Sequence, residues 1–257
     1  MFHTAEGEGK PLLLVHGLGS NHLSWRGLVP ELARARRVIR VDLPGHGRTP
    51  AGADSGTFVG LARSLEDFLV AENLLGVDLV GSSLGGRLVL EMARRGRAGA
   101  VVALDPGGFW EGWERTYLKT TLLGSVMLLR GLGGLRRAMA HNPAARAMLL
   151  AQLSTRAWHH DGDMVADELD SFATTSTFTA LVHDLSAGPM QQGPAAPGTG
   201  KIAIGWGRHD RLCWPSQAER AVAAFPSARL HWFAHSGHYP WWDEPEATLD
   251  LIRETTG

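Results

Sequence analysis

A single cysteine, Cys213, occurs in the 257 residues, so an internal disulfide is excluded and the composition suits a reducing compartment. Excess charge of either sign is also lacking: 25 basic and 26 acidic side chains leave a formal net charge of -1. With no dense run of Lys and Arg, the electrostatic term that drives nucleic-acid binding is missing, and nucleic acid is not an expected partner. Long apolar runs are absent too. The most apolar window, Leu122 to Leu135, is broken by Arg130 and four glycines and is too short to cross a bilayer. The opening residues Met1-Phe2-His3-Thr4-Ala5-Glu6-Gly7-Glu8 are acidic and lack the apolar stretch of a signal peptide. The expectation is a cytoplasmic protein with no membrane partner. Tyrosine is scarce at two, whereas nine tryptophans outnumber eight phenylalanines.

What is present is an ordinary globular composition, 44% hydrophobic and 20% charged, in a chain long enough to bury roughly 70 to 75% of its unfolded surface. Short apolar runs alternate with stretches of helical period, the pattern of a parallel sheet covered by helices on both faces. The expected strands are Leu12 to Val15, Arg37 to Val41, Val77 to Gly81, Ala100 to Leu104, Ile202 to Trp206 and Ala228 to Phe233. Phe58 to Glu72, with an N-cap at Thr57, places Leu61, Leu65, Phe68 and Leu69 on one face. Leu84 to Arg95, Ser216 to Ala224 and Glu246 to Arg253 also read as helices, the last two entered through Pro215 and Pro245. The alternation stops after Leu104 and resumes only at Ile202, too long a gap for a loop. It reads as a helical insertion, Phe109 to Ser186, returned to the sheet by the Pro/Gly-rich linker Gly188 to Gly200.

The sharpest chemical signal is Gly81-Ser82-Ser83-Leu84-Gly85, a G-x-S-x-G between an expected strand and an expected helix. A serine there sits on a strained turn, so small residues must flank it while its hydroxyl projects above the sheet and the helix N-terminus lies beneath. Three further segments follow the ends of expected strands, the edge where open parallel sheets place their sites. They are His16-Gly17-Leu18-Gly19, Gly207-Arg208-His209-Asp210 and Gly237-His238, giving the chain order Ser, Asp, His.

In these segments, in the turn Asp42-Leu43-Pro44-Gly45-His46-Gly47-Arg48 and in Glu244-Pro245, the chain resembles the α/β-hydrolase fold superfamily over essentially its whole length except the insertion. The resemblance implies a three-layer α/β fold with a mostly parallel central sheet and a helical cap inserted after the sixth family strand. Few residues precede Leu12, so one N-terminal strand is expected to be missing. The implied domains are a core of 1–108 and 194–257 and a cap with its linker over 109–193. It further implies Ser83 as nucleophile, His238 as general base, Asp210 as the acid that orients it, and Leu18 and Leu84 as oxyanion donors. Asp105, at the end of its own strand, is the alternative acid. A base must take the proton from a serine hydroxyl, and a neutral imidazole suits that task near pH 7. The expected activity is cleavage of a small-molecule ester through an acyl-enzyme, with no metal and no organic cofactor.

Trp110 and Trp113 open the insertion and Trp241 and Trp242 follow the expected base, so all four are expected to line a pocket for an apolar or aromatic acyl or alcohol group. His16 and His46 resemble family positions that shape the loops around the site, His235 reads as a supporting or hydrogen-bonded histidine rather than a base, and Cys213 as a small buried apolar residue. His159-His160-Asp161-Gly162-Asp163 matches no zinc or calcium spacing and reads as a loop or helix cap. Two other readings stay open. One is carbon–carbon hydrolysis of ring-fission products, whose substrate carboxylate Arg115, Arg130, Arg136 or Arg137 would have to hold, although these four read as solvated helix charges. The other is a ligand-binding sensor that retains the triad.

Overall fold

The computed structural model describes residues 1–257. Seven strands form one sheet: β1 (His3–Glu6), β2 (Pro11–Val15), β3 (Arg37–Val41), β4 (Asp78–Ser82), β5 (Val101–Leu104), β6 (Ile202–Gly207) and β7 (Ala228–Phe233). Their spatial order is β1-β3-β2-β4-β5-β6-β7, with every pair parallel except β1 against β3. Successive side chains of a strand point to opposite faces, yet Leu12 to Val15 and all of β4, β5 and β6 are buried. Both faces are therefore covered, the three-layer arrangement that continuous rather than alternating apolar runs predict. The six expected strands form, with ends shifted by one residue at most. β1 was not foreseen. It is four residues long, three of them polar, and antiparallel, so no alternation marks it. The N-terminal edge is thus shortened rather than bare, and the strand before the insertion is the fifth here, one fewer than the family resemblance implies.

The covering helices are α1 (Val29–Leu32), α2 (Phe58–Ala71), α3 (Leu84–Arg94), α9 (Gln217–Ala224), α10 (Pro240–Asp243) and α11 (Pro245–Thr256), with a 3-10 turn at His22–Trp25. The Thr57 hydroxyl accepts from Gly60 N–H and caps α2 as its position predicts. No strand lies between Leu104 and Ile202. That stretch carries α4 (Trp113–Leu132), α5 (Leu135–His141), α6 (Pro143–Leu149), α7 (Gly162–Thr174), α8 (Phe178–Ala187) and a second 3-10 turn, Ala157–His159. The returning segment is held to α3: Arg87 Nη2 donates to Pro189 O at 2.8 Å and Ala196 N–H to Ala93 O at 3.0 Å. No helix is long and apolar enough to cross a membrane.

Register brings Val15, Gly81, Ala103 and Ile204 into line across the sheet, so the loops that follow these strands emerge along one edge. The loop after β2 is tied to the loop after β3 by a buried histidine. His16 Nε2 accepts the Leu43 N–H at 3.0 Å, which leaves the proton on Nδ1 to be donated to Gly17 O at 2.8 Å. Asp42 accepts from His22 N, His22 Nδ1 and Arg48 N, closing the turn that carries His46. His16 and His46 are loop-shaping, as their positions suggested, and their rings lie 5.2 Å apart.

Burial disfavours the charged imidazole and lowers His16 to about 4 and His46 to about 3. Both pKa values fall below the unfolded value of about 6.5. The unfolded chain therefore binds more protons in between, so this stability is fully present above pH 6.5 and is lost as pH falls toward 4. Comparison with His46→Gln cancels every other titrating group. Between pH 7 and 5 the wild type should lose about 2 kcal/mol more stability to urea than that variant. Parallel stability curves would contradict the assignment.

Candidate active site

Strand β4 ends at Ser82, and Ser83 turns the chain into α3 with φ 52° and ψ -114°, a left-handed conformation that a non-glycine residue adopts only under constraint. The constraint comes from neighbouring backbone. A Cβ at Gly81 would stand 2.2 Å from Gly85 O, and one at Gly85 would stand 2.2 Å from Val15 O. Both glycines are required, as the G-x-S-x-G pattern predicts. Hydrogen bonds then pin the turn: Ser83 N–H donates to Leu104 O at 2.9 Å, and Ser83 O accepts from Arg87 N–H at 2.9 Å and Gly107 N–H at 3.0 Å.

His238 lies in the loop after β7, 1% exposed, and its Nδ1 is 2.7 Å from Asp210 Oδ2. The other oxygen of Asp210 accepts from Leu212 N–H at 2.7 Å and Cys213 N–H at 2.9 Å, which fixes the carboxylate. Paired this way, the ring keeps its proton on Nδ1 and leaves Nε2 as the acceptor. That Nε2 is buried with no partner in the chain. Ser83 and His238 line the same cavity without a hydrogen bond between them. Asp105, the alternative acid, stands behind the pair. It accepts from Gly207 N–H at 2.8 Å, and burial, then the neighbouring Asp210, push its carboxyl well above the usual range. It stands beside Asp210, the carboxylate that contacts His238.

The cavity is lined by Gly17, Leu18, Ser83, Leu84, His238 and a mainly apolar set from the helical insertion and its flanks. The expected oxyanion donors Leu18 and Leu84 are thus brought together with Ser83, and the backbone N–H of Leu18 meets no acceptor in the chain. Of the four tryptophans expected at the pocket, only Trp110 lines it. Trp113 is 64% exposed and packs edge-on against Tyr117 and Trp214. Trp241 and Trp242 are buried behind the histidine loop, where each indole N–H donates to Ser24 O at 3.1 Å. These three are corrected to packing residues: nearness to His238 in sequence did not decide which way their rings turn. The wall is built instead by Leu118 and Leu122 of α4, Leu153, Phe172 of α7, Leu185 of α8 and Leu212. The spacing of Leu118, Leu122, Val126 and Leu129 along α4 was the signal that would have found part of it.

Arg87 and Tyr239 also line the cavity and went unforeseen. The arginine is 3% exposed, stacks 4.0 Å from the Phe58 ring, and burial lowers it to about 10. The four arginines considered for a substrate carboxylate bond elsewhere: Arg115 to Ser186 O and Gly188 O, Arg130 to Ala173 O and Thr175 O, and Arg136 and Arg137 to Asp170. His235 is exposed and its side chain supports nothing at His238, contrary to expectation. In the histidine–aspartate cluster, Asp161 caps α7 by accepting from Met164 N–H at 2.9 Å, and His160 Nε2 bonds the Ser154 hydroxyl at 2.8 Å. Asp210, Cys213 and His238 bring ligand-type atoms within 4.8 Å of one another. Burial pushes the Cys213 thiol well up, so it stays protonated, and Asp210 is already committed to the imidazole.

The sequence profile of the alpha/beta hydrolase family matches residues 12–251. A 2-hydroxy-6-oxo-2,4-heptadienoate hydrolase of Pseudomonas putida is 29% identical over 266 residues, covering 96% of this chain and 88% of the relative. An uncharacterized protein of Mycobacterium tuberculosis is 26% identical over 259 residues, covering 96% of this chain and 75% of that one. Among solved structures, an esterase from Exiguobacterium antarcticum superposes with a TM-score of 0.79 at 18% identity, over 99% of this chain and 94% of the esterase. With the profile spanning almost the whole sheet and the helical insertion alike, the chain belongs to the alpha/beta hydrolase family.

Proposed function

We propose that the protein is a serine hydrolase that cleaves a small-molecule ester with an apolar or aromatic acyl or alcohol group. Ser83 Oγ attacks the carbonyl carbon while His238 Nε2 takes its proton and later returns it to the leaving oxygen. Asp210 holds the imidazole in the required tautomer and stabilises its protonated form. The N–H groups of Leu18 and Leu84 receive the oxyanion, where each donor contributes roughly 3 to 4 kcal/mol to lowering the barrier. Water then releases the acyl group from Ser83. The single observation that carries this reading is a buried imidazole paired to Asp210 on one nitrogen, with its other nitrogen unpartnered beside a cavity shared with Ser83. The helical segment 109–193 acts as the cap over that cavity, and its leucines support an apolar substrate.

Carbon–carbon bond hydrolysis is the second reading, favoured by Arg87. Such a substrate carries a carboxylate, and Arg87 is the one permanently charged side chain lining the cavity. The likeness to the P. putida dienoate hydrolase points the same way.

Two measurements separate these outcomes. Ser83→Ala should leave the fold unchanged and lower turnover of a p-nitrophenyl ester by ~10³-fold or more, while a fluorophosphonate probe labels Ser83 in the wild type. An unchanged rate or labelling at another residue would refute the nucleophile. Arg87→Gln should leave neutral aryl esters within about threefold of wild type and lower kcat/KM for a ring-fission dienoate about 30-fold, the loss of a charge-assisted hydrogen bond worth ~2 kcal/mol. Dienoate turnover that is absent in the wild type, or indifferent to the substitution, would leave the ester reading alone.

A further inference from the structure

We propose that Glu168 is a positioning residue that holds the oxyanion loop and the histidine loop in register, one carboxylate oxygen on each. The inference rests on the reading of Ser83 as the nucleophile. Glu168 lies on the inner face of α7, 3% exposed. Its Oε2 accepts from the Ser20 hydroxyl at 3.0 Å and its Oε1 from the Tyr239 hydroxyl at 2.9 Å. Ser20 closes the turn that carries Leu18, its N–H donating to Gly17 O at 3.3 Å. Tyr239 follows His238 directly, lines the cavity and anchors the loop through its N–H to Leu153 O at 2.9 Å. The two loops leave β2 and β7, with β4, β5 and β6 between them in the sheet. Trp241 and Trp242 also donate directly to Ser24 O at 3.1 Å, and Glu168 is the one side chain of the helical insertion that hydrogen-bonds to both segments.

Fastening α7 does not require an acid inside it. Val165, Leu169 and Phe172 already bury its inner face, and Asp167 pairs with Arg26 at 2.7 Å nearer the surface. A buried carboxyl is costly to charge, which makes its presence between two catalytic loops informative. The groups facing it are Ser20, Ser24 and Arg26 from the segment after β2 and Tyr239 from the histidine loop. From α5, Arg136 and Arg137 are occupied by Asp167 and Asp170, and from α4, Arg130 is bonded to Ala173 O and Thr175 O. Burial raises Glu168 to about 7, against the pull of the two hydroxyls and Arg26. Glutamine preserves both contacts, accepting from Tyr239 and donating to Ser20, but does not titrate.

The test compares the rate of Ser83 labelling by a fluorophosphonate probe, and hydrolysis of p-nitrophenyl acetate, in the wild type, Ser20→Ala, Tyr239→Phe, the double variant, Glu168→Gln and Glu168→Ala. Ser20→Ala and Tyr239→Phe should each slow labelling and kcat about fivefold to tenfold, with KM within about twofold, as for one hydrogen bond removed. Glu168→Ala should match the double variant. Glu168→Gln should keep most of the wild-type rate and lose an inflection near pH 7 from the kcat profile, the His238 limb remaining. Wild-type labelling rates in Ser20→Ala and Tyr239→Phe, or a Glu168→Gln profile with the wild-type inflections, would overturn the proposal. If Glu168→Ala fails to fold, the two hydroxyl variants decide alone. Absence of Ser83 labelling in the wild type would instead refute the hydrolase reading beneath it.

Discussion

Helix α3 can leave strand β4 at Ser83 only because three backbone segments meet there with no room for a methyl group. A Cβ at Gly81 would meet Gly85 O and one at Gly85 would meet Val15 O, each at 2.2 Å. This contact forces the left-handed turn, and the turn lifts the serine side chain to the cavity floor while α3 directs its N-terminal dipole at the same point. The rest of the site is assembled around that fixed serine. His16 locks the neighbouring loop by accepting from Leu43 and donating to Gly17, so Leu18 is presented beside Ser83 rather than free to wander.

The second constraint is electrostatic. Burial would ordinarily neutralise a carboxyl group, and two buried acids side by side cannot both ionise cheaply. The pair Asp105 and Asp210 resolves this asymmetrically. Burial pushes Asp105 well above the usual carboxyl range, whereas Asp210 accepts from two backbone N–H groups and from the imidazole. The surrounding cavity is mostly leucine and aromatic, so few polar groups surround Ser83 and His238 there.

Much of this was legible in the sequence because it depends on local pattern. Continuous apolar runs marked the buried strands, the glycine spacing marked the turn at Ser83, and chain order placed Asp210 and His238 beyond strand ends. β1 escaped because four residues on an edge, three of them polar, carry no period. Trp113, Trp241 and Trp242 were misplaced because sequence gives a residue's neighbourhood but not the direction its ring takes. Arg87 and Glu168 were missed for a different reason. Their partners, Gln191 and Tyr239, lie 104 and 71 residues away, a coupling that no local spacing encodes. Which of Asp105 and Asp210 meets Nδ1 of His238 is likewise a three-dimensional question, and in the fold that contact is made by Asp210.

The claim on which everything turns is that the unpartnered Nε2 of His238 serves Ser83. A crystal structure of the protein after reaction with a small phosphonate ester tests it most directly. The account predicts a covalent bond to Ser83 Oγ, with the phosphonyl oxygen accepting from the N–H groups of Leu18 and Leu84 and His238 Nε2 within hydrogen-bonding distance of the adduct. An adduct on another residue, or one on Ser83 with its oxygen turned away from both N–H groups and Nε2 still unpaired, would contradict it.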